Sequence, residues 1–139
     1  MIEKVLPVYF EILNSLQNEG AEFIQLDEPF LALNLTDKER LAITYVYNEI
    51  NKNFPSLKII LTNYFDCFGE NLHTALALPV DTFHLDLVRC PLQLDDILES
   101  GQLAAGTNLS LGVVDGRNIW KNDYKNSLNL INKAVDALD

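Results

Sequence analysis

Basic residues, cysteine and long apolar runs are all scarce in this sequence, and each shortage removes a class of function. Ten Lys and Arg stand against twenty Asp and Glu, a formal net charge of −10. A duplex or an anionic membrane surface would repel such a chain, so neither nucleic acid nor membrane is expected among its partners. No apolar run approaches the ~20 residues needed to cross a bilayer. The opening MIEKVLPVYFEIL is too amphipathic and too charged for a signal peptide, so a cytoplasmic location is expected. Cys67 and Cys90 fit no CxxC or zinc-ribbon spacing, which makes a reduced pair of thiols the expectation. Cys67, Cys90 and His73 fall on separate elements, whereas catalytic zinc wants three converging donors, so no metal ligand is assigned. Serine-hydrolase elbows, phosphate loops and dinucleotide fingerprints are missing too.

What is present is the material for a core. The 139 residues are 48% hydrophobic and 22% charged, which suits one globular domain spanning 1–139. Val5, Val8, Ile12 and Leu16 share one face of a helix over 2–19, with Leu6, Phe10 and Leu13 beside them and Gly20 as a stop. Pro7 suggests a start nearer residue 6. FIQLDEP (23–29) follows as a strand. Thr36 and Glu39 form a capping box, and Ile43, Val46, Tyr47 and Ile50 continue that helix until Pro55.

LKIILTNYF (57–65) is a continuous apolar run, expected to be a strand covered on both faces. A short helix over 70–78 leads to TFHLDLV (82–88), and Leu92 to Ser100 reads as another helix ended by Gly101. LSLGVV (109–114) is the fourth strand, and a helix over about 121–138 places Leu128, Ile131, Val135 and Leu138 on one face. Strands alternating with helices, without a hairpin signal, imply an α/β fold of parallel strands and right-handed crossovers. The spacing suits units of a (β/α) barrel, which needs eight units and about 250 residues. Four units make a partial, half barrel. Its open edges, and inner faces expected to carry Ile59, Leu61, Leu85 and Val113, predict a homodimer or a larger partner.

Three of the strands end in an acid. Residues two apart share a strand face, so Gln25 goes with Asp27, His84 with Asp86 and Val113 with Asp115, while Asn63 stands at the equivalent level of the second strand. The carboxyl ends of parallel strands are where such folds bind ligands. Asp27, Asn63, Asp86, Arg89, Asp115 and Asn118 are therefore the candidate substrate-binding residues, with no catalytic residue assigned. Structural alternatives stand beside them. Asp27 could cap the next turn, and Asp86 could simply pair with Arg89. Glu28 is expected to turn out to solvent, His84 to be a hydrogen-bonded core histidine, and Trp120 to anchor the DGRNIW turn.

LPVYFEIL, GAEFIQLDEP, LKIILTNYF, LPVDTFHLDLVR and LSLGVVDGRNIW together resemble the cobalamin-independent methionine synthases. These are 5-methyltetrahydropteroyltriglutamate–homocysteine methyltransferases of methionine biosynthesis. The resemblance runs in order along essentially the whole chain, and LSLGVVDGRNIW is a specific block. It implies a family of two face-to-face (β/α)8 barrels, with this chain matching the fourth to seventh strands of the amino-terminal one. It also implies zinc, 5-methyltetrahydropteroylpolyglutamate and homocysteine as the family's metal and substrates. In the catalytic barrel a His-x-Cys supplies two zinc ligands, and that register here holds Asn63 and Phe65. A glutamate ligand matches Asp86, and the Asp that holds the substrate amino group matches Asp27. The resemblance thus implies a section of the enzyme that is inactive alone and holds no cofactor. The alternatives are a half barrel binding a small amino-bearing ligand through Asp27, Asp86 and Asp115, or a purely structural self-associating domain.

Overall fold

The computed structural model describes residues 1–138. Their order is α1 (Ile2–Asn18), β1 (Phe23–Asp27), α2 (Asp37–Asn53), β2 (Lys58–Thr62), α3 (Leu72–Leu76), β3 (Thr82–Asp86), α4 (Gln93–Ser100), β4 (Asn108–Gly112) and α5 (Tyr124–Leu138), with 3-10 turns at Pro29–Ala32 and Gly69–Asn71. Pro7 lies inside α1 rather than at its start. It falls early in the helix, where its missing N–H leaves only the exposed Glu3 carbonyl to water. α2 begins at the expected capping box. The Thr36 hydroxyl accepts the Glu39 N–H at 3.4 Å, and Glu39 Oε2 accepts the Thr36 N–H at 2.7 Å.

The four strands form one parallel sheet in the order β1-β2-β3-β4. A sequential order without reversal sends every right-handed crossover to the same side, which is half-barrel winding rather than that of a doubly wound sheet. The helix-packed face holds the core. Ile59, Leu61, Phe83 and Leu85 are buried there with Leu13, Tyr47, Ile50, Leu94 and Ile97.

Neighbouring strand residues alternate between faces, so the placement expected for the apolar residues is corrected. With His84 and Asp86 on the open face, Leu85 must point to the helices, and Ile59, Leu61 and Val113 join the same packed layer. The open face is instead polar. Its central row runs Asp27, Thr62, His84, Ser110 in register. Two apolar stripes are left uncovered on the outer helices. Val5, Val8, Ile12 and Leu16 of α1 are exposed, as are Leu128, Ile131, Val135 and Leu138 of α5. Trp120 is 79% exposed, so its ring is not buried as an anchor of the DGRNIW turn.

The cysteines are also corrected. Cys67 and Cys90 are bonded to each other, with Cα atoms 5.2 Å apart. Each lies in the loop just past the end of its strand, and the strands are parallel neighbours, so both loops leave side by side. Spacing along the chain could not show that.

Candidate functional site

The loops after β2, β3 and β4 meet above the open face around a cavity of about 350 Å³. Tyr64, Phe65, His84, Asp86, Arg89, Asp115 and Arg117 line it. His84 is half-buried, and its Nδ1 lies 2.9 Å from the Ser110 hydroxyl. It is hydrogen-bonded, as expected of a core histidine, but it sits at the cavity wall. Its ring is accommodated by Gly112, where a Cβ would stand 3.1 Å from His84 Nε2 and 2.9 Å from the Leu85 carbonyl oxygen. A glycine in β4 thus makes room for the imidazole on β3.

Asp86 accepts the Phe65 N–H at 3.2 Å and the Arg89 N–H at 3.0 Å. It therefore joins two loops through backbone groups. The Arg89 guanidinium turns to Asp115 instead, at 3.3 Å. Asp115 also accepts the Arg117 N–H at 3.0 Å and the Asn118 side-chain amide at 2.7 Å. Those donors hold its carboxyl below the usual range, the Arg117 N–H foremost and Arg89 next. Asn118 Oδ1 accepts the Trp120 N–H at 2.8 Å, so Asn118 braces the DGRNIW turn. The Arg117 guanidinium lies over the Phe65 ring, 4.8 Å from its centroid. Phe65 itself has φ 84°, a left-handed backbone that an aromatic residue adopts only under constraint.

The six candidates therefore divide. Asp86, Arg89 and Asp115 line the cavity, with Asn118 behind them. Asp27 shares its face with Gln25 as expected, and Gln25 Nε2 donates to Asp27 Oδ1 at 2.7 Å. It lies outside the cavity, across Tyr64, whose hydroxyl is 3.5 Å from Asp27 Oδ2. Asn63 stands one residue past the level of Asp27 and His84, which Thr62 occupies. Its side chain is buried, with Nδ2 donating to the Asp66 carbonyl at 3.2 Å and Oδ1 unpartnered.

Glu28 is the largest departure from expectation. It does not face solvent but reaches between α1 and α2, beside Leu6, Leu26 and Val46. The Tyr47 hydroxyl donates to Glu28 Oε1 at 2.9 Å. Burial raises the Glu28 carboxyl above its usual range despite that bond, and the nearby Asp27 pushes the same way. Burial and Glu28 push the Tyr47 phenol far up. Tyr47 was legible as a core position of α2, but nothing along the chain ties it to Glu28.

Zinc is the metal that the resemblance implies, and the donors do not fit it. The His-x-Cys register holds Asn63 and Phe65, Cys67 and Cys90 are bonded to each other, and both Asp86 oxygens are engaged by N–H donors. Among the described residues no three His, Cys, Asp or Glu side chains converge. Nor is any described helix long and apolar enough to cross a membrane.

The family model for "Cobalamin-independent synthase, N-terminal domain" matches residues 1–139. The chain is 79% identical over 138 residues to a 5-methyltetrahydropteroyltriglutamate–homocysteine methyltransferase of Flavobacterium johnsoniae. It is 54% identical to the protein of that name from Cytophaga hutchinsonii, again over 138 residues. Each match covers 99% of this chain and 18% of the relative. A Rhodopseudomonas palustris relative is 48% identical over 97% of this chain.

Proposed function

Because the chain belongs to the cobalamin-independent synthase family, we propose that it supplies a four-stranded section of the amino-terminal barrel of a 5-methyltetrahydropteroyltriglutamate–homocysteine methyltransferase. The observation that carries the reading is the match along the whole chain, at 79% identity, to a protein of that name. The section corresponds to strands four to seven, in an enzyme of cytoplasmic methionine biosynthesis. β1 and β4 each pair on one side only, and the apolar stripes of α1 and α5 flank those edges uncovered. Neighbouring βα units of the barrel would cover both. A second copy of the chain would serve when those units are missing.

The section carries scaffold and rim, and the methyl transfer from folate to homocysteine belongs to the assembled enzyme. Without three converging donors for zinc among the described residues, the chain alone has no means of making homocysteine a metal-bound thiolate. Purified chain given homocysteine, 5-methyltetrahydropteroyltriglutamate and zinc should form no methionine above a protein-free blank. Methionine above that blank would overturn the assignment of chemistry to other parts of the enzyme.

The rim cavity favours a second reading. Asp86 and His84 could meet the amino group of a small ligand, while Arg117 meets a negative group. Asp27 would stand outside that site and Asp115 would serve it only through Arg89. A ligand that raises the melting temperature of the chain, and no longer does so in Asp86→Asn, would support it. An unchanged response in that variant would count against it.

A further inference from the structure

The Cys67–Cys90 bond ties the loop after β2 to the loop after β3. These loops are adjacent walls of the rim cavity, one through Tyr64 and Phe65, the other through Val88 and Arg89. Two hydrogen bonds run from the loop after β2 to the residues that flank the loop after β3, the end of β3 and the start of α4. Asp86 accepts the Phe65 N–H, and the buried Gln93 Oε1 accepts the Phe68 N–H at 2.6 Å. The left-handed Phe65 stands between these ties, and such a backbone persists only where its surroundings over-determine it.

The two sulfurs differ in access. Cys90 is 3% exposed, whereas Cys67 is half-buried at the rim. A small thiolate can therefore approach only the Cys67 end, leaving Cys90 as the departing sulfur. We propose that Cys67–Cys90 is a reversible thiol–disulfide exchange site that takes low-molecular-weight thiols at Cys67, and that its reduction frees the Phe65 wall of the rim cavity.

The exchange balances without further reagents. The thiolate RS⁻ bonds to Cys67 Sγ, and the electron pair of the broken S–S bond leaves on Cys90 Sγ. A second RS⁻ attacks the mixed disulfide at the small-molecule sulfur, releasing RSSR and the Cys67 thiolate. Both cysteine thiolates then take protons from the medium. Run backwards, RSSR is the oxidant. The fold survives reduction because Phe68 and Leu87 remain buried and the Gln93–Phe68 bond is untouched. What is released is the short segment 64–67.

The test equilibrates the chain in graded mixtures of reduced and oxidised glutathione, traps free thiols by alkylation, and maps the products by peptide mass. Hydrogen–deuterium exchange is followed on the same samples. The bridged form should give way to the dithiol with the far-UV circular dichroism unchanged, through a glutathione adduct on Cys67. Amides in 64–67 should exchange about tenfold faster in the dithiol, while those of β2 and β3 keep their rates. Cys90→Ser should accumulate the Cys67 adduct, and Cys67→Ser should form none at Cys90 without denaturant. An adduct on Cys90, unchanged exchange over 64–67, or thiols that never bridge in oxidised glutathione would each overturn the proposal. If a variant fails to fold, the peptide map of the unaltered chain still decides.

Discussion

Removing the Tyr47 hydroxyl should destabilise this chain more than removing the Asp27 carboxylate at the rim. Tyr47 is 1% exposed, and its hydroxyl donates to a carboxylate held in a partly apolar crevice. A hydrogen bond to a charged group contributes about 1.5–3 kcal/mol, and the partial exposure of Glu28 favours the low end. Tyr47→Phe keeps the ring and opens almost no cavity, so ~1–2 kcal/mol at pH 7 is expected. Glu28→Ala strands the buried hydroxyl and should cost a similar ~1–3 kcal/mol. Asp27→Ala, exposed and bonded chiefly to Gln25, should stay within ~0.5 kcal/mol.

The pH dependence follows from the raised Glu28 carboxyl. A group whose folded pKa exceeds its unfolded value binds protons more readily in the folded chain. Its contribution to stability therefore falls as pH rises from the unfolded glutamate value of about 4.3 through the folded one. Glu28→Gln should flatten that fall. Tyr47→Phe should steepen it, because the lost hydrogen bond is what lowers the Glu28 pKa. Urea titrations at several pH values read all of this. An Asp27→Ala effect larger than that of Glu28→Ala, or a Tyr47→Phe effect below ~0.5 kcal/mol, would refute the reasoning.

Gly112→Ala should destabilise by ~1–3 kcal/mol, because its Cβ would meet the Leu85 carbonyl at 2.9 Å and the His84 ring; a neutral result in denaturant titration would show that β4 yields there. Metal analysis after dialysis should find well under one zinc per chain, and a stoichiometric, chelator-resistant zinc would contradict the donor geometry. Sedimentation at several loadings should show self-association through the uncovered edges and stripes, and a single species at the 15.7 kDa chain mass throughout would contradict it.

Much of the fold was legible because its signals are local. Each strand is a short apolar run followed by helical spacing, and the absence of hairpin turns leaves parallel crossovers as the remaining connection. The Thr36–Glu39 box and the alternation of Gln25 with Asp27 were legible for the same reason. Leu85 was misplaced against the local strand alternation itself, whereas the other misplacements are long-range. Which acid Arg89 chooses, where Glu28 finds its hydroxyl and which thiols meet depend on loops brought together by strand pairing. The apolar stripes of α1 and α5 were legible as stripes. Their exposure was not, because a pattern does not say what covers it.

The measurement closest to the central claim is a segment exchange into the Flavobacterium johnsoniae relative. The part of that enzyme matching this chain would be replaced by residues 1–138, and methyl transfer to homocysteine assayed. If this chain is an interchangeable section of the amino-terminal barrel, the chimera should fold and form methionine within about tenfold of the parent rate. A chimera that folds with the parent's melting behaviour yet forms no methionine would contradict the account.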